Sequence, residues 1–292
     1  MPFDARRGLT LLMGAAVLGF VMQGRAMAGN GQPHVFRMNT DAGAAIVTRS
    51  SSGLNLIDNG GPVLQQSTVY AIYWGQQSAF PSDLKKALPT FFEGYGDSDY
   101  SHILDQYLPA IETSDFDTTT VTDPTAPPSR SPSTATIVNE ACKYIKSGAL
   151  PLDPINATSN SGGIYFIFTS NFPSGANYCG WHSYGTCEGE EIAVSYIPNL
   201  NNVLGCNPGN RYHANAYSEG TRADANVVAH EESEATTDPE LNAWFDANGN
   251  EVADKCAWLF SSAVTLANDT NWQLQELWSN AKSACVQDQL TP

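Results

Sequence analysis

The six cysteines of this 292-residue chain all lie from residue 142 onward, at Cys142, Cys179, Cys187, Cys206, Cys256 and Cys285. An even set of cysteines constrains a fold only where thiols are oxidised, so the compartment decides how to read them. The N-terminus carries the three parts of an export signal. Arg6 and Arg7 are basic, Leu9 to Met22 is apolar, and Ala26-Met27-Ala28 puts small residues where a signal peptidase reads. The apolar stretch is shorter than the roughly 20 residues a bilayer span needs. Residues 1–28 therefore read as a cleavable signal peptide and Gly29 as the first mature residue, with no later membrane span. Three disulfides follow for an extracytoplasmic chain, since no Cys-x-x-Cys pair suggests a cysteine metal site. Cys256 is expected to pair with Cys285, and Cys179 with Cys187 or Cys206. The net charge of −16 sets aside nucleic acid and anionic membrane surfaces as partners.

Residues 29–59 are polar, glycine-rich and weakly periodic, and read as a flexible arm or short pro-segment. Gly60-Gly61-Pro62 then opens a single globular domain, 60–292. Ser67 to Trp74 and Gly163 to Ser170 are rich in β-branched and aromatic residues. They predict buried strands, the second central in a sheet. Glu191 to Ile197 predicts another strand. Asp83 to Tyr107 suggests two short helices, and Asp115 to Ser133, dense in Thr, Pro and Ser, a surface loop. Thr134 to Lys146 and Thr221 to Thr236 predict helices, Pro239 being unable to continue the second. Asn248-Gly249 suits a hairpin turn, and the alternation from Trp272 to Trp278 suggests a strand closing the sheet. The expected class is α/β (α+β): a mixed, few-stranded sheet, disulfide-stabilised.

The run from Val227 to Cys256 carries the chemistry. On a helix, His230 and Glu234 are four apart and share a face, a spacing at which imidazole and carboxylate can grip one cation. Glu231, about 100° round the helix, is placed to act as a general base. No Lys or Arg falls between Asn226 and Pro239. The like-charged Glu231 and Glu234, in the half of the helix whose dipole prefers cations, both argue for a bound metal. Val227, Val228 and Ala229 argue that the helix is buried there.

Ala229-His-Glu-x-x-Glu234 resembles the zincin motif His-Glu-x-x-His, with Glu234 where the second histidine belongs. The resemblance implies one divalent ion, zinc first, and a third carboxylate ligand about two dozen residues downstream. Asp254 stands 24 residues after His230 (254 − 230); Glu251, Asp238 and His182 are alternates, His182 being placed on a bridge-anchored loop. Tyr70-Ala-Ile-Tyr-Trp-Gly75, Tyr178-Cys-Gly-Trp-His182, Thr237-Asp-Pro239, Asn242-Ala-Trp244 and Glu276-Leu-Trp-Ser-Asn280 follow one another in the chain. With the helix motif, they resemble the EXORDIUM-like, phosphate-induced protein family over roughly residues 60–286. That resemblance implies an extracellular or cell-wall location and brings no established reaction. Two functions follow as expectations. One is a metal-dependent hydrolase of peptide or other amide bonds. The other is a non-catalytic wall or matrix binding protein with a structural cation or none.

Overall fold

The structure, a computed structural model, describes residues 32–40 and 55–288; the expected signal peptide and much of the expected arm lie outside them. In chain order the elements begin with β1 (His34–Arg37), β2 (Ile57–Asp58), β3 (Gln66–Trp74), α1 (Leu84–Tyr95), β4 (Thr113–Phe116), β5 (Val121–Asp123) and α2 (Thr134–Lys146). They continue with β6 (Ser161–Thr169), β7 (Tyr178–Cys187), β8 (Glu190–Ile197), α3 (Glu219–Thr237) and β9 (Trp244–Phe245). Four short strands follow: β10 (Val264–Thr265), β11 (Asn271–Trp272), β12 (Leu277–Ser279) and β13 (Ala284–Val286).

The main sheet runs β1-β7-β8-β6-β3-β4, with β5 also pairing with β3. The pairs among β3, β4, β5, β6 and β8 are parallel, whereas β7 is antiparallel to β8 and β1 antiparallel to β7. The apolar runs of β3 and β6 are explained by burial on both faces. Ile164, Phe166 and Phe168 join a core with α1 and α3, while Tyr165 and Ile167 face a second core built on Ile137, Val138, Ala141 and Ile145 of α2. The result is a mixed α/β fold with the sheet between two helical layers.

The cysteines form three disulfides: Cys142–Cys187, Cys179–Cys206 and Cys256–Cys285. They tie α2 to β7, β7 to the turn before α3, and the turn after β9 to β13. With loops of 27 to 45 residues, the chain-entropy treatment gives about 3.5–4 kcal/mol each.

Several expectations need correction. Residues 34–37, placed in the flexible arm, form β1 on the edge of the main sheet, with Phe36 fully buried; four residues are too few for a periodicity to register. The segment around His182 is no loop but β7, ten residues long; its Gly, Ser, Thr and Cys content masks its strand character. The 115–133 loop includes β5, paired with the C-terminal half of β3. Asn248-Gly249 does turn the chain, but β9 pairs with β2 instead of forming a hairpin across that turn. β11 and β12 lie in separate two-stranded sheets and do not close the main one.

Candidate metal centre

Helix α3 starts at Ser218, whose side chain accepts from Thr221 N, and ends where Pro239 follows Asp238. Seventeen of its residues are buried, so its acidic run cannot be a solvated face. It packs against β7 closely enough that a side chain at Gly180 is excluded: a Cβ there would lie 2.6 Å from Val227 and 2.9 Å from Glu231 Oε1. That approach brings His182 of β7 over His230, Glu231 and Glu234 of α3. The turn after β9 supplies Glu251 and Asp254, and β1 supplies His34.

Glu234 lies at the centre. Its Oε1 is 3.2 Å from His230 Nε2 and accepts from Asp254 N at 3.1 Å. Its Oε2 is 3.6 Å from His182 Nδ1 and 3.9 Å from His34 Nε2. Asp254 Oδ1 lies 3.8 Å from His230 Nε2, while its Oδ2 pairs with His34 Nε2. Glu231 Oε2 is 3.5 Å from His182 Nδ1, and Glu251 reaches His182 at 3.5 Å and His34 Nδ1 at 3.0 Å. Three donor sets result, each with its atoms within 4.8 Å of one another: His230–Glu234–Asp254, His182–Glu231–Glu234 and His34–Glu234–Glu251. Donors around a tetrahedral ion bound at about 2.1 Å stand about 3.4 Å apart, close to the separations between these histidines and carboxylates.

The chain's own hydrogen bonds do not satisfy this cluster. Both ring nitrogens of His230, both oxygens of Glu231, Glu234 Oε2 and Glu251 Oε2 are buried without a hydrogen-bond partner. A neutral group left so costs about 1–3 kcal/mol, and a charged one more. The electrostatics express the same conflict. Burial, and next the Glu234 charge, push the carboxyls of Glu231 and Glu251 well above the usual range. Burial, then the charges of His34 and His230, hold His182 well below the usual imidazole value. His34 behaves in the opposite way. Burial opposes its charge, but Glu234 and Asp254 outweigh burial and lift it to about 9. It brings one positive charge to four carboxyl groups. Buried imidazoles and carboxylates without partners, at ligand spacing, fit a divalent cation; the mixed N/O set suits Zn²⁺ or Mn²⁺.

The structure brings together the sequence candidates His230, Glu234 and Asp254, and places two of the alternates, His182 and Glu251, in the same cluster. Asp238 is in none of the three donor sets: its Oδ1 accepts from Asn242 N and Ala243 N, both at 2.6 Å, and so shapes the turn after α3. Glu231 is not off to one side as the helical rotation suggests, because β7 brings His182 to that flank. Glu232 turns the other way and accepts from Ser67 and Ser114. The residue missed outright is His34, whose only sequence signal is a histidine two places before the core residue Phe36. Phe36 in turn stacks on His230, with ring centroids 3.8 Å apart. Compared with known proteins, the chain matches no protein-family model and no curated protein.

Proposed function

We propose that this protein is an extracytoplasmic metal-dependent hydrolase acting on peptide or related amide bonds. The observation that carries the reading is the set of orphaned donors converging on Glu234. His230, Glu234 and Asp254 hold the ion, zinc first. Bound there, a divalent cation supplies Lewis acidity to polarise an amide carbonyl. Glu231, buried beside His182, takes the proton from the attacking water. Asp254 N donates to Glu234 Oε1 and orients it. The leader-like N-terminus, the three disulfides and the resemblance to the EXORDIUM-like family support an extracytoplasmic location.

One observation favours a second reading, a non-catalytic wall or matrix protein with a closed structural cation. His182, His230, Glu231 and Glu234 have no exposed surface, whereas a catalytic ion keeps one position open. Glu231→Gln separates the two. It keeps size and removes basicity, so the hydrolase reading expects retained metal and fold with a loss of about 10²–10⁴-fold in rate. Metal-loaded wild type that cleaves no member of a broad peptide library above the Glu231→Gln background would leave only the second reading.

A further inference from the structure

Among the described residues, the partly exposed side of the site is occupied by the protein's own β1. The His34 and Asp254 side chains there retain 22 % and 17 % of their surface. β1 lies antiparallel along β7, with His34 opposite His182, Val35 opposite Trp181 and Phe36 opposite Gly180. Among the described residues, β7 has no other neighbour on that side of the main sheet. Side chains two apart on a strand share a face, and both that β1 turns inward enter the centre. His34 reaches Glu251, Asp254 and Glu234. Phe36 lies between the ring of His230, at 3.8 Å, and that of Trp258, at 4.6 Å.

Trp258 reads as a clasp. Its φ of 65° places a bulky aromatic residue in the left-handed region, a conformation that costs about 1–3 kcal/mol and persists where the surroundings demand it. That backbone puts the indole against Phe36 and lets Trp258 Nε1 donate to the Arg37 carbonyl at 2.9 Å. The clasp, the β7 edge and the carboxylates all belong to the rest of the chain. None of them requires that the strand between them be covalently attached.

We infer that β1 is an internal occupant of a groove that accepts an extended polypeptide, with His34 filling the position open to substrate. The inference rests on the hydrolase reading and names its substrate class. A peptide backbone adds to the exposed edge of β7 by strand pairing. An aromatic side chain fits between His230 and Trp258, and the residue two places before it faces the carboxylates. While β1 is seated, the cation is closed in; when β1 leaves, the same donors open onto a cleft. The near-complete burial of the site is then a property of the strapped form.

The test uses the full metal-loaded chain with a specific protease site inserted after Thr40, so that cutting leaves β1 held only by non-covalent contacts. The probe is a fluorescein-labelled peptide of residues 32–40, followed by anisotropy. The cut chain, freed of its own strand by gel filtration, should bind the probe, and unlabelled extended peptides with an internal aromatic residue should compete. The uncut chain should bind it at least about tenfold more weakly. Equal binding by cut and uncut chains, or none by the cut chain, overturns the inference. A second variant guards against misfolding on cutting. In the intact chain His34→Ala removes the strand's contacts with Glu234, Glu251 and Asp254, so a chelator should strip the metal about tenfold faster; an unchanged rate also overturns it. These outcomes are separable from failure of the hydrolase reading. A chain that binds metal and probe but never cleaves peptides keeps the groove and loses the hydrolase. A chain that cleaves equally well cut or uncut keeps the hydrolase and loses the strap.

Discussion

Two acidic clusters lie on opposite faces of the main sheet, and the protein treats them differently. Between β5 and α2, Asp123 and Glu140 are both buried. Asp123 pairs with Lys143, which stands 3.6 Å from Glu140. Burial works against the Asp123 charge, but hydrogen bonds from Lys143 and Thr125 hold its carboxyl below the usual range. On the α3 face, the centre gathers more carboxyl groups and leaves several without partners. The first cluster carries its cation as a side chain reaching in from the surface. The second presents histidines and carboxylates around a space, an arrangement that makes sense for a cation supplied from outside.

The largest effect expected from this contrast is on stability. An ion that binds only the folded chain stabilises it by about 4 kcal/mol when free ion stands at 1,000 times the dissociation constant. Chelation should therefore lower the melting temperature by roughly 10 °C. An unchanged melting curve would put the α3 cluster on the same footing as the α2 cluster.

A smaller effect sharpens the other side. Burial, then the hydrogen bond with Asp123, lift the Glu140 pKa from 4.5 to about 7. The folded state thus keeps its proton where the unfolded chain has lost it, so this group's contribution to stability falls as pH rises through that window. Because Glu140 is partly screened by solvent, the expected loss is about 1 kcal/mol. Urea unfolding at pH 5 and pH 7.5 should show a loss larger by about that amount in the wild type than in Glu140→Gln. Parallel behaviour of the two would remove Glu140 from the account.

Much of the fold was legible because its signals are local. The apolar runs of β3 and β6 and the 3.6-residue pattern of α2 register within one window, and Pro239 stops α3. The α3 motif was legible for the same reason: His230 and Glu234 are one helical turn apart. What escaped depends on pairing across the chain. β7 mixes small, polar and aromatic residues without a clear alternation and becomes a strand between β8 and β1. His34 stands 200 residues before Glu234 (234 − 34) and reaches it only through that pairing. The role of Gly180 is likewise invisible until α3 lies against it.

Whether the cluster around Glu234 holds a cation is decided by metal analysis of the purified protein. About one equivalent of a divalent ion is expected in the wild type. The ion should be lost in Glu234→Ala, which removes the residue common to all three donor sets, and retained in Glu240→Ala, which lies outside them. A metal-free wild type, or equal metal in both variants, would contradict a cation at this cluster.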